Sequence, residues 1–210
     1  DVGLLDITPF VVTLKQGVKF PRVPQYKISK EGEDALMVII GNLIELGVVE
    51  ETQGNICNSP VLPVTKRTAE GDSPVYRFVI DLREINKIVE PQYPVVSDIN
   101  VLLTMIPASA EYFSVIDLKN AFFSIPIAEE SRFLFGFSLG GRSFRFCRAP
   151  QGYTESPSIY SQALKKQLDV LVLPPEVALL QYVDDLLIAA PTVALCEQST
   201  CLLLQHLAKY

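Results

Sequence analysis

The sequence contains no tryptophan and a single histidine, His206. Its four cysteines, Cys57, Cys147, Cys196 and Cys201, form no Cys-x-x-Cys pair. With so few nitrogen and sulfur ligands at the right spacing, a structural zinc site is not expected, and free thiols in a reduced compartment are the plain reading. Long apolar runs are missing too. None approaches the ~20 residues of a membrane-spanning helix, and no basic-then-apolar leader opens the chain. Positive charge is scarce: 18 Lys and Arg stand against 24 Asp and Glu, a net charge of −6. A surface that binds nucleic acid should be locally basic, so the composition argues against one unless basic parts lie outside this chain.

What is present is a globular composition. Of 210 residues, 49% are hydrophobic, too many for a disordered chain, and the length allows one large domain or two small ones. Fifteen prolines and 11 glycines divide it into short elements. The chain opens at Asp1 and stops inside an apolar periodic stretch, "CLLLQHLAKY", so it reads as a piece of something longer.

Residues 1–30 carry prolines 9, 21 and 24 and predict an extended arm. In "GEDALMVIIGNLIELGVV", Leu36, Ile39, Ile40, Leu43 and Ile44 fall at helical spacing, with Gly47 as the stop. "SPVLPVTK" and "VYRFVIDL" predict two strands around the turn "RTAEGDSP". "VSDINVLLTMI" predicts a short helix capped by Ser97. "YFSVIDL" predicts a buried strand ending at Asp117, and "GRSFRFCRAP" a half-exposed one that sets Phe144 and Phe146 against Arg145 and Cys147. "ESPSIYSQALKKQLDVL" predicts a helix capped by Ser156, with Ile159, Ala163 and Leu164 opening its apolar face. Thr192 caps a last helix, on which His206 is a partly buried residue without a catalytic part. Strands and helices mix without βαβ regularity, so the class is α+β.

The chemistry concentrates in "LLQYVDDLLIAA", Leu179–Ala190, where Asp184 and Asp185 interrupt an apolar run. Burying a carboxylate without a partner is costly, and adjacent like charges add to the cost. Two short apolar runs flanking Val-Asp-Asp predict a hairpin with the acids at or beside its turn. A polar turn alone would explain an Asp-Asp pair, but not Tyr-Val before it and Leu-Leu-Ile after it. If the end of the Asp117 strand lies beside that turn, three carboxylates converge and require cations. Magnesium suits them as a hard, oxygen-liganded ion, and two such ions clamp the attacking and leaving oxygens of a phosphoryl transfer.

Four blocks, in order, resemble the fingers and palm of retroviral reverse transcriptases, nearest the mammalian gammaretroviral type. Tyr182-Val183-Asp184-Asp185 is similar to that family's YVDD box. "VIDLKNAFFSIPI" resembles the strand with the first catalytic aspartate, "YRFVIDLREINK" a fingers segment, and "APQGYTESPSIYSQAL" the PQG block. The match runs from about residue 25 to 207.

The resemblance implies a right-hand polymerase fold with fingers at 1–92 and 125–155, palm at 93–124 and 156–210, and no thumb. It implies RNA-directed DNA polymerase activity in a retroviral or endogenous-retroviral Pol polyprotein. Asp117, Asp184 and Asp185 would be catalytic ligands of two Mg2+ ions, with Mn2+ a possible substitute. Lys66 and Arg77 would grip the triphosphate of a dNTP, and backbone N–H groups of Asn120 and Ala121 would hold its oxygens. Where Asn120 stands the family usually has aspartate. Phe122 would be the steric gate under the sugar, with Phe123 facing inward. Gln151 and Gly152 would lie beside the incoming base, Asp81 and Arg83 near template and nucleotide, and Tyr182 and Val183 near the primer end. An ion pair within the fingers is an equal reading of Asp81 and Arg83. Where Ala149 stands the family commonly has leucine. The implied partners are an RNA or DNA template with its primer, dNTP, and the thumb, connection and RNase H parts of the same polyprotein, with no membrane. The implied setting is the virion or host cytoplasm. Two other readings remain at this stage: an inactive retroelement relic serving as a binding module, and a two-metal phosphatase or nuclease.

Overall fold

The computed structural model describes residues 3–66, 74–91 and 98–209, with Lys66 described by its backbone. The chain divides into two compact units, each mixing helix and sheet. One comprises Thr8–Pro91 and Phe122–Ser156, the other Gly3–Ile7, Gln92–Ala121 and Pro157–Tyr210.

The first unit begins as the arm the prolines predict, then enters α1 (Lys30–Glu45). Ser29 caps that helix by accepting the Gly32 N–H at 3.1 Å, and Glu31 and Glu33 complement the dipole of its first turn. Its buried stripe is Leu36, Ile40 and Leu43. Gly47 ends it as predicted, at φ +65, a left-handed conformation that costs glycine little. Strand β1 (Val49–Thr52) follows, then the antiparallel pair β2 (Val61–Lys66) and β3 (Val75–Ile80), then the short helix α2 (Arg83–Ile88). The α1 helix packs on β1, β2 and β3.

Further along the chain lie β5 (Gly136–Leu139) and β6 (Arg142–Phe146), which join β1 in a sheet of order β1-β6-β5. The core here is aromatic: Phe137 lies 5.3 Å from Phe78, 5.3 Å from Phe144 and 5.6 Å from Phe146, centroid to centroid. The turn expected at "RTAEGDSP" lies outside the described residues except for Pro74. Strand β3 stops at Ile80, so Asp81 and Leu82 of "VYRFVIDL" lie beyond it, and helix α2 begins at Arg83.

The second unit holds α3 (Ile99–Thr104), β4 (Tyr112–Asp117), β7 (Ala178–Tyr182), β8 (Asp185–Ala190) and α5 (Val193–Leu207), with α4 (Ser156–Leu168) entering it. The sheet order is β4-β8-β7, all antiparallel, and α5 packs on β4 and β8. As predicted, Thr192 caps α5, accepting the Leu195 N–H at 3.3 Å. His206 is buried, and its Nε2–H donates to the Gln167 carbonyl at 2.8 Å.

Three expectations are corrected here. Strand β4 is not buried: it is an edge strand, and Phe113 and Val115 are 53% and 72% exposed, while the central β8 carries the burial through Leu186, Ile188 and Ala189. The cap of α3 is Asp98, which accepts the Asn100 N–H at 2.8 Å, whereas Ser97 lies outside the described residues. Ser156 is the first residue of α4 and not its cap, and its hydroxyl donates to the Pro150 carbonyl at 3.1 Å.

Candidate active site

Asp117 is the last residue of β4, and the register places it directly opposite Asp185, the first residue of β8. Opposed residues of an antiparallel pair project to the same face, so two carboxylates meet there. On its other side Asp185 pairs with Tyr182, leaving Val183 and Asp184 as a two-residue turn. Val183 sits at φ 55. A left-handed first residue in such a turn normally calls for glycine, and a β-branched residue there is strained. Leu118 N–H donates to the Asp184 carbonyl at 3.1 Å, tying the turn to the end of β4. All three acids therefore gather at one end of one sheet.

The expected cost of these acids is corrected in kind. Asp117 and Asp185 are exposed and Asp184 is half-buried; it is Leu180 and Leu186 beside them that are buried. The apolar run belongs to the strands, and the acids lie at its rim. Their cost is mutual repulsion more than lost hydration. Among the described residues none of the three is in an ion pair, and no group of three or more His, Cys, Asp and Glu side chains closes into a metal cage. An open set of hard oxygen donors without a competing cation fits a divalent ion that keeps waters and takes further ligands from a substrate. Tyr160 of α4 is buried nearby. Burial first, and the charge of Asp184 second, push its phenol well above the usual range, so it remains neutral.

In the same unit, Asn120 adopts φ 58, a conformation asparagine tolerates better than most residues, and Ala121 behind it is buried. A short 3-10 turn, Ala121–Ser124, follows, and its Phe122 and Phe123, both half-buried, belong to the first unit.

The remaining predicted residues lie in the first unit. Lys66 pairs with Val75 and Arg77 with Val64, so the two cations occupy facing strands of one hairpin, one step apart on the diagonal. Arg77 is exposed, and among the described residues it forms no ion pair. Gln151 and Gly152 line a cavity of about 130 Å³ with Phe78, Phe123 and Phe146. Asp81 and Arg83 form a forked pair, Nε to Oδ1 at 2.9 Å and NH2 to Oδ2 at 2.7 Å.

Two residues were not anticipated from the sequence. Tyr26 donates its hydroxyl to Asp81 Oδ2 at 2.8 Å. Asn86 clamps the PQG turn, donating to the Gly152 carbonyl at 2.9 Å and accepting the Thr154 N–H at 3.1 Å.

Arg83 above all, with Tyr26, holds the Asp81 carboxyl well below the usual carboxylate range. A depressed folded value contributes stability that is present above the unfolded value near 3.9 and lost as pH falls toward the folded one. Asp81→Asn is therefore expected to lower urea stability at pH 7, with the gap to the parent chain narrowing at pH 3. A gap that widens in acid would contradict the pairing.

With this geometry in hand, comparison with known proteins is direct. The family model described as "Reverse transcriptase (RNA-dependent DNA polymerase)" matches residues 65–210. The Gag-Pol polyprotein of walleye dermal sarcoma virus is 34% identical over 208 residues, 99% of this chain. That of woolly monkey sarcoma virus is 40% identical over 97% of the chain, and that of avian reticuloendotheliosis virus 42% over 90%. The chain spans 12%, 12% and 16% of those relatives' own lengths. The chain belongs to the reverse transcriptase family, and it carries that family's domain in a form similar to retroviral Gag-Pol polyproteins.

Proposed function

We propose that this chain is the fingers and palm of a retroviral or endogenous-retroviral RNA-directed DNA polymerase. The register that sets Asp117 against Asp185 beside the Val183–Asp184 turn carries this reading. The first unit is assigned to fingers and the second to palm. A primer 3′-hydroxyl attacks the α-phosphate of a dNTP, and pyrophosphate leaves. Asp117, Asp184 and Asp185 hold Mg2+, for which Mn2+ can substitute. When bound, the ions polarise the phosphoryl oxygens and offset the charge that develops on the entering and leaving oxygens.

The protein's own residues do the positioning. Arg77 offers a fork and Lys66 a point charge to the triphosphate. The N–H groups of Asn120 and Ala121 bind its oxygens, and asparagine keeps that contact without adding a negative charge. Gln151 and Gly152 flank the incoming base. Asp81 and Arg83 meet the template side, Tyr182 and Val183 the primer end. The thumb, connection and RNase H parts of the polyprotein supply the duplex-binding surface that a net charge of −6 does not. The setting is the virion or the host cytoplasm.

Phe122 is assigned as the floor under the sugar. A ribonucleotide would meet the ring and lose water from its 2′-hydroxyl without gaining a partner, at a cost of roughly 1–3 kcal/mol. In a polypeptide extended through the thumb, Phe122→Val is expected to raise ribonucleotide use relative to dNTP by tenfold or more, with dNTP use modestly impaired. Phe123→Val should instead damage folding, because that ring stacks on Phe146 at 6.3 Å. If Phe122→Val lowers the melting temperature and leaves sugar choice unchanged, the gate assignment is wrong.

A further inference from the structure

The Val183–Asp184 turn is strained, and contacts beyond its own strand ladder must hold it. One central carbonyl, that of Asp184, is held by Leu118 N–H at 3.1 Å. The other, that of Val183, is held by a side chain. Gln181 Nε2 lies 3.3 Å from the Val183 carbonyl, 3.1 Å from the Ser161 carbonyl and 3.4 Å from Ser161 Oγ. Two of these neighbours are carbonyl oxygens, which can only accept. The chemistry therefore fixes which end of the amide faces them: the NH2 end, with one hydrogen for α4 and one for the turn. Ser161 follows the buried Tyr160, so Gln181 ties the turn to the part of α4 that packs beside Asp184.

We infer that Gln181 is a positioning residue for Asp184, its carboxamide clamping the left-handed Val183 peptide to helix α4. The inference deepens the metal-site reading, and its metal readout rests on that reading. Its conformational readout does not. Glycine at the first turn position would adopt φ 55 without help. Valine adopts it only because α4, through Gln181, and β4, through Leu118, hold both central peptides. Without the clamp the turn should relax, and the Asp184 carboxylate with it.

The test is Gln181→Met in the 210-residue chain. Methionine keeps the length and removes the donor. Amide exchange followed by NMR should quicken at least tenfold at Leu118, whose N–H reports the turn, and stay unchanged at Ile188 in the middle of β8. Gln181→Glu, the same shape with oxygen facing oxygen, should quicken Leu118 in the same way. Mn2+ titration read by electron paramagnetic resonance should show about a tenfold loss of affinity in Gln181→Met, the scale of losing an outer-shell partner. Adding Val183→Gly should recover most of that loss, because glycine no longer needs the clamp. Unchanged Leu118 exchange in both Gln181 variants overturns the inference. So does strict additivity of Gln181→Met and Val183→Gly. If the parent chain and Asp184→Asn bind Mn2+ equally poorly, the metal-site reading fails, and Leu118 exchange alone decides whether Gln181 holds the turn.

Discussion

Asp117→Asn is expected to abolish nucleotidyl transfer while making the metal-free chain slightly more stable. Both effects come from one observation, the direct opposition of Asp117 and Asp185. Like charges opposite each other on neighbouring strands destabilise the pair by a few tenths of a kcal/mol up to about 1. Both side chains are exposed, so the lower part of that range applies. At 2–4 °C per kcal/mol for a chain of this size, the melting temperature in EDTA should rise by about 1–2 °C, less in high salt. Asp185→Asn removes the same repulsion and should give a similar rise. In a polypeptide extended through the thumb, the lost carboxylate removes several kcal/mol of charge stabilisation, on the order of a 10³-fold loss of rate. Activity and stability thus move in opposite directions, as expected where a site keeps repulsion for the sake of its ligand. A fall in melting temperature in EDTA would mean that Asp117 makes a stabilising contact, and the site would need another account.

The largest stability effect should come from Phe137→Ala. Phe137 is fully buried and touches the rings of Phe78, Phe144 and Phe146. Its strand β5 is one edge of the β1-β6-β5 sheet, and the ring, with Leu139, ties that edge to the core. Truncating a buried phenylalanine costs about 3–5 kcal/mol in transfer and cavity terms. The urea midpoint should fall accordingly, by roughly 1–3 M at the slopes usual for small proteins. Neighbours cannot collapse into the space, because they are rings held by their own strands. A loss below about 1.5 kcal/mol would show that the aromatic cluster repacks.

The site was legible where it depended on short-range pattern. Apolar runs on both sides of Val-Asp-Asp gave the hairpin, and the β-branched run before Asp117 gave the strand that ends at it. Helix α1 was legible because its cap, periodicity and glycine stop agree. Other features depended on distant partners. Tyr26 meets Asp81 across 55 positions, and Asn86 meets Gly152 and Thr154 across 66 and 68. Nothing local in either residue announces those contacts. The exposure of β4 was hidden for a related reason: an apolar β-branched run looks the same whether its strand lies at the centre of a sheet or at its edge. The strain at Val183 was also hidden, since a valine in sequence carries no sign of a positive φ.

The edge position of β4 bears on how the polypeptide behaves in bulk. Among the described residues, one side of this strand has no partner strand in its sheet, and its Phe113 and Val115 are exposed. Near it, α3 exposes Val101 and Leu103 beside a groove of about 260 Å³ lined by Ile99, Leu102 and Val115. Free backbone donors and acceptors alongside bare hydrocarbon make a template for edge-to-edge pairing. Short of a charge at its middle, β4 has only Asp117 at one end to discourage it. Made in quantity on its own, this polypeptide would carry that strand as a place where copies can stick to one another.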